Sequence, residues 1–149
     1  MNSIEIRNLQ KNYKNFSLTI DNLEIPEGYI TGFIGPNGAG KSTTIRVLMG
    51  LIQKTHGSVW VLEKDISKEK EQILSEIGYL PSEAVFYPDM RGRDLIRLSA
   101  ELHRKDCRKV SADLCERLQL DPSRRIGELS FGNRKKLAVL CALQHDPRL

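Results

Sequence analysis

The chain has 149 residues, 40% of them hydrophobic and 28% charged, which predicts one folded globular domain and excludes an intrinsically disordered chain. Its net charge of +4 comes from basic residues interspersed with acidic ones. This pattern favours solvated helix faces over a nucleic-acid surface, so no nucleic acid is expected as a partner. The apolar run over 137–143 is too short to cross a bilayer, and we expect another polypeptide or segment to supply any membrane span.

Alternating apolar residues predict β-strands in the first part of the chain. The alternation covers residues 4–6 and then 16–25. An apolar run over 29–34, bounded by glycines, predicts a further strand buried within a sheet. A glycine-rich loop follows it, then a predicted helix over 42–51 and a strand over 59–62.

The second part of the chain is predicted to be mostly helical. A charged helix is expected over 67–76 and a brief strand over 77–80, before two apolar stripes at helical spacing between 89 and 120. A last helix is expected over 133–145. The cysteines at 107, 115 and 141 lack the close spacing of a metal site, so we interpret them as reduced thiols.

The glycine-rich loop carries the most specific chemical pattern. Its residues fit G-x-x-x-x-G-K-[ST] at every fixed position: Gly35, Pro36, Asn37, Gly38, Ala39, Gly40, Lys41 and Ser42. Glycines allow successive backbone N–H groups to turn inward around an anion, and the following helix N-terminus adds further N–H groups. We expect Lys41 to contact the β- and γ-phosphates of a nucleotide, Ser42 to ligate Mg²⁺, and Thr43 to lie near the α-phosphate. A capped surface loop without a ligand would not require the lysine.

This loop is similar to the Walker A motif of the ATP-binding cassette (ABC) ATPases. The resemblance implies an α/β fold, with a P-loop NTPase core that has N-terminal antiparallel β elements and a helical subdomain. It implies domain boundaries at about 1–80 for the β-rich core, 81–130 for the helical subdomain and 131–149 for the signature helix. Tyr13 stands where the family places an aromatic residue that stacks on adenine.

Two later segments match the same family. The sequence Leu129-Ser130-Phe131-Gly132-Asn133 resembles the ABC signature, usually Leu-Ser-Gly-Gly-Gln, which implies that Ser130 and the Gly132 N–H bind the γ-phosphate of a nucleotide on a partner subunit. Phe131 and Asn133 depart from the usual glycine and glutamine. Ser82 occupies the position of the Q-loop glutamine, and its shorter side chain could act on Mg²⁺ only through water.

The resemblance covers residues 1–149 and stops before the strand that carries the Walker B aspartate and glutamate, and before the switch histidine. We therefore expect the N-terminal portion of an ATPase domain, incomplete at its C-terminus, that binds ATP and Mg²⁺ but hydrolyses ATP poorly on its own. Without the Walker B strand, the predicted strand over 29–34 would present an unpaired edge.

The function implied by the resemblance is that of an ATP-binding subunit of an ABC exporter. Its partners would be a membrane-spanning permease and a second ATP-binding subunit, and it would lie on the cytoplasmic face of the membrane. Two alternatives stay open. One is a non-hydrolysing, nucleotide-binding regulatory fragment, and the other is an ABC-type ATPase that is not tied to transport.

Overall fold

The computed structural model describes residues 1–83 and 86–149. The chain divides into two compact units, residues 1–74 and residues 75–149. In the part of the chain so described, no helix is both long and apolar enough to cross a membrane.

The first unit is built on a four-stranded antiparallel sheet. Its strands are β1 (Asn2–Asn12), β2 (Ser17–Pro26), β3 (His56–Val61) and β4 (Lys64–Asp65), in the spatial order β2-β1-β3-β4. The helix α1 (Lys41–Leu48) contacts β3, and α2 (Lys70–Ser75) follows at the end of the unit. The strands predicted over 4–6, 16–25 and 59–62 are thereby confirmed, whereas the short β4 was not predicted.

Cross-strand pairs of branched side chains bury one face of this sheet. Ile4 lies opposite Val61 and Ile6 lies opposite Val59, and all four side chains are buried. Such pairs are typical of the apolar face of an antiparallel ladder. The alternation that predicted β1 therefore reflects burial on one face.

The prediction of a buried strand over 29–34 is wrong for the structure described. This segment has no assigned strand, and Ile30 and Ile34 are 105% and 95% exposed. A strand forms where a neighbour accepts its backbone hydrogen bonds, and no strand in residues 1–83 or 86–149 pairs with this segment. Its apolar side chains therefore face solvent.

The second unit is helical. Its helices are α3 (Gly92–Leu102), α4 (Arg108–Arg117) and α5 (Phe131–Leu143), with one turn of 3₁₀-helix at Ile126–Glu128. Both α3 and α4 contact α5, and buried side chains form a core at Ile96, Leu120, Ile126, Leu129, Leu137 and Leu140. The strand predicted over 77–80 does not form, although the Gly78 N–H donates to the Leu149 carbonyl.

A pair of histidines stacks within this unit. The ring centroids of His103 and His145 lie 3.6 Å apart, and the ring planes differ by 8°. His145 is almost fully buried, and its Nε2 donates to the Ile77 carbonyl. Its Nδ1 makes no hydrogen bond in the described chain, and burial lowers the pKa of the ring.

Candidate functional site

Positive φ angles turn the loop between β2 and α1 sharply. Gly38 and Gly40 have φ values of +83° and +96°, a region that residues with a side chain rarely adopt. At Gly40 a Cβ would also lie 2.7 Å from Cδ1 of Leu18 on β2. The loop is closed by a turn in which the Ala39 N–H donates to the Pro36 carbonyl at 3.2 Å.

The loop leads directly into the N-terminus of α1. Gly40 is the N-cap residue and supplies no side-chain cap, while the N–H and the hydroxyl of Thr44 both donate to the Gly40 carbonyl. The N–H groups of the first helical residues have no intrahelical acceptor, and the helix dipole adds positive potential there. This arrangement favours an anion at the residues that precede Thr44.

Lys41 folds back over the loop from which α1 emerges. Its Nζ donates to the carbonyls of Gly35 and Pro36, at 2.5 Å and 2.8 Å. A cavity of about 340 Å³ opens beside it, and its lining is Phe16, Asn37, Gly38, Gly40, Lys41, Ser42 and Thr43. The lining contains an ammonium group, two hydroxyls and no carboxylate, so these residues fit a phosphate chain.

The structure thus brings together most of the predicted phosphate-binding residues at one cavity. Gly35, Pro36 and Ala39 are not among the lining residues. The carbonyls of Gly35 and Pro36 accept hydrogen bonds from Lys41, and the Ala39 N–H forms the turn that closes the loop. No cluster of three or more potential metal-ligating side chains from His, Cys, Asp or Glu occurs in residues 1–83 or 86–149. The Ser42 hydroxyl lies in the cavity lining and is an oxygen atom that could ligate a Mg²⁺ ion.

Two aromatic residues lie in the connection between β1 and β2. Tyr13 is 47% exposed, its N–H donates to the Phe16 carbonyl, and the two ring centroids are 6.3 Å apart. Lys11 places its Nζ 5.0 Å from the Tyr13 ring. Sequence reasoning singled out Tyr13 but missed Phe16, which lines the cavity itself, because the strand alternation already accounted for an aromatic at that position.

The residues of the predicted signature form the N-terminus of α5. Ser130 is the N-cap, and its Oγ accepts a hydrogen bond from the Asn133 N–H at 3.2 Å. Gly132 faces open space, with no atom within 4 Å of where a Cβ would lie, and Phe131 is 71% exposed. This helix terminus is therefore accessible to a partner.

Ser82, at the predicted Q-loop position, is exposed, and residues 84 and 85 lie outside the described part of the chain. The Lys135 Nζ donates to the Ser82 carbonyl at 2.7 Å. Ser82 also lines a cavity of about 390 Å³ with Glu83, Phe131 and Lys135, among others. Ser82 thus lies near the N-terminal part of α5.

Known proteins resemble this chain over most of its length. The family model described as ABC transporter matches residues 18–149. The chain is 34% identical over 131 residues to the bacitracin transport ATP-binding protein BcrA of Bacillus licheniformis, and the match covers 86% of this chain and 42% of that protein. It is 31% identical over 153 residues to the probable sulfate/thiosulfate import ATP-binding protein CysA of Chlorella vulgaris, covering 99% of this chain and 64% of that protein.

A solved structure described as an ATP-binding subunit of an ABC transporter superposes on this chain with a TM-score of 0.86 and 25% identity. The superposition covers 97% of this chain and 62% of that one, so the chain spans between 42% and 64% of the length of these three proteins. These matches confirm the predicted P-loop NTPase fold. The chain belongs to the ATP-binding proteins of the ABC transporter family.

Proposed function

We propose that this chain binds Mg·ATP through residues 35–43 and acts as the nucleotide-binding part of an ABC transporter. The observation that carries the proposal is the loop with two positive-φ glycines, closed by Lys41 and leading into α1, beside a cavity without carboxylates. In this proposal Lys41 and Thr43 contact phosphates, Ser42 ligates Mg²⁺, and Tyr13 stacks on adenine.

A second ATP-binding subunit is the proposed partner for the N-terminus of α5. Ser130 and Gly132 are exposed there, and the first N–H groups of the helix favour an anion. In this proposal they bind the γ-phosphate of a nucleotide held by the other subunit. Closure of the two subunits around ATP would act on a membrane-spanning permease, with this chain peripheral to the cytoplasmic face of the membrane.

Hydrolysis by this chain alone is proposed to be slow. Phosphoryl transfer to water depends on a group that positions the attacking water and on neutralisation of charge. The cavity supplies the positive charge of Lys41, but none of its lining residues is acidic. ATP binding without appreciable turnover is therefore expected.

Isothermal titration of the whole chain tests the binding proposal. ATP with Mg²⁺ should bind at least tenfold more tightly than adenosine, and Lys41→Ala should remove that difference. Lys68→Ala, which changes an exposed lysine in the same unit, is the matched control and should bind like the parent chain. Equal affinity for ATP and adenosine would contradict the proposal, and phosphate release that is lost in Lys41→Ala would contradict slow hydrolysis.

Export is the proposed direction of transport, based on the similarity of the signature variant at 129–133 to bacterial exporters. The relatives include one named for bacitracin transport and one named for sulfate/thiosulfate import. In the source cells, disruption of the gene should increase sensitivity to a toxic exported compound, for which bacitracin is the first to try. Decreased accumulation of sulfate in the disrupted strain would instead indicate import.

A further inference from the structure

A large cavity lies between α3 and α4, within the unit formed by residues 75–149. Both helices contact α5, and the space between them has a volume of about 900 Å³. Its lining follows α3 from Arg93 to Glu101, the connection from Arg104 to Cys107, and α4 from Arg108 to Cys115. This volume is typical of sites that bind small molecules, and the proposed nucleotide site does not use it.

The floor of this cavity is mostly apolar and uncharged. Ile96 and Cys107 are 8% and 3% exposed, and the other apolar lining residues are Ala100, Ala112, Cys115 and Pro122. Burial raises the pKa of both Cys107 and Cys115, so their thiols remain neutral. The buried side chain of Gln144 also lies in this lining: its Nε2 donates to the Ile96 carbonyl at 3.0 Å, and its Oε1 has no hydrogen-bond partner within the described residues.

The rim of the cavity carries an excess of positive charge. Its cationic residues are Arg93, Arg97, Arg104, Lys105 and Arg108, against two acidic residues, Glu101 and Asp106. Each acidic residue already has a partner, because Arg108 binds both oxygens of Asp106 and Arg97 lies 3.9 Å from Glu101. Arg108 holds the pKa of Asp106 low, at about 2, so this pair stays ionised.

Two arginines of the rim are left to interact with a ligand. Within the described chain, Arg93 and Arg104 form no ion pair, whereas the Lys105 Nζ donates to the His145 carbonyl at 2.6 Å. A guanidinium group presents two parallel N–H donors that match the two oxygens of a carboxylate. The rim thus offers guanidinium groups that can bind a carboxylate, above a mostly apolar floor.

We propose that this cavity binds a long-chain fatty carboxylate, with its alkyl chain on the floor between α3 and α4 and its carboxylate at the cationic rim, to which Arg93 and Arg104 contribute from the two ends of α3. Charge complementarity selects this class of ligand. A neutral apolar molecule would leave the arginines without a partner, and a small anion would leave the apolar floor exposed. A single-chain anionic amphiphile satisfies both parts of the cavity.

Titration of the whole chain with dodecanoate, below its micellar concentration, tests the proposal. Dodecanoate should bind at a single site, at least tenfold more tightly than dodecanol or dodecyltrimethylammonium. Decanoate should bind roughly fifteenfold more weakly than dodecanoate, because two fewer methylene groups are buried. Equal affinity for dodecanoate and dodecanol, or binding that does not saturate, would overturn the proposal.

Matched variants test whether dodecanoate binding depends on the rim arginines and on the floor of the cavity. The double change Arg93→Gln with Arg104→Gln should weaken dodecanoate at least tenfold and leave dodecanol unchanged. Its control, Lys109→Gln with Arg117→Gln, removes two cations of α4 that do not line the cavity and should have no effect. Ala112→Trp should fill the cavity and abolish binding, whereas Val110→Trp, at an exposed position outside it, should not.

Further outcomes would show that the cavity binds something other than a fatty carboxylate. Equal loss of dodecanoate in both double variants would overturn the proposal, provided that circular dichroism shows both to be folded. Self-association of the chain that Ala112→Trp abolishes would assign the cavity to a second copy and would also overturn it. Lys41→Ala should leave dodecanoate binding intact, so failure of the proposed nucleotide site would not be mistaken for failure of this one.

Discussion

The substitution Gly57→Ala tests whether the close contact between β1 and β3 depends on the absence of a side chain at this position. Gly57 lies near the start of β3, opposite the irregularity in register between Arg7 and Gln10 of β1. Its φ is +89°, and a Cβ there would lie 2.2 Å from the Asn8 carbonyl oxygen and 2.7 Å from the Leu9 Cα. Backbone atoms cannot rotate out of the way as a side chain can. Gly57→Ala must therefore separate the two strands locally.

Gly28→Ala is a matched control for the magnitude of this effect. Gly28 has a similar φ of +83°, but nothing lies within 4 Å of its Cβ position. The left-handed backbone costs a residue with a side chain about 1–2 kcal/mol, and both variants share this cost. The collision at Gly57 adds about 1–3 kcal/mol of the kind caused by overpacking. We expect Gly28→Ala to lower the free energy of unfolding by about 1–2 kcal/mol and Gly57→Ala by about 2–5 kcal/mol.

Urea denaturation followed by circular dichroism measures the difference. Small proteins lose about 1–3 kcal/mol of stability per molar urea, so an additional 2 kcal/mol would separate the two midpoints by about 1 M. Equal midpoints for the two variants would refute the reasoning, because the backbone strain alone would then explain both. A midpoint for Gly57→Ala above that of Gly28→Ala would refute it more directly.

Two further predictions concern the unit formed by residues 75–149. Burial lowers the pKa of His103 and of His145. The positive charge of His145 and of Lys105 lowers the pKa of His103 further, and Lys105 does the same at His145, where the carbonyls of Ile77 and Cys141 and the charge of Asp146 oppose the shift. Because the unfolded histidines keep a higher pKa, near 6.5, the free energy of unfolding should be at its full value above pH 6.5 and fall as the pH drops below it. Urea midpoints between pH 7.5 and 5.0 measure this fall, and a profile for His103→Gln as steep as that of the parent chain would argue against a role for the stacked pair. Ser130→Ala should lower the free energy of unfolding by about 1 kcal/mol through loss of the N-cap of α5, and an unchanged urea midpoint would show that the hydroxyl does not stabilise this helix.

Local chemistry explains which elements could be predicted from the amino-acid order. The conformation of the loop over 35–42 depends on glycines that accept positive φ and on a helix that starts immediately after them, and both causes lie within ten residues. The same holds for Ser130, which caps the helix that begins at the next residue. That these residues bind nucleotide stays a prediction, since the geometry shows only that a phosphate chain would fit.

The features that could not be predicted depend on residues distant in the chain. The run over 29–34 has the composition of a buried strand, yet pairing requires a neighbouring strand, and sequence composition does not specify one. Phe16 reaches the nucleotide cavity, and Gly57 fits beneath the Asn8 carbonyl, only because the strands come together in a particular register. The cavity between α3 and α4 likewise arises from how two helices pack against a third. Short-range conformational preferences thus specified the loop and the helix caps, whereas long-range packing placed the aromatic residue, the close backbone contact and the basic rim.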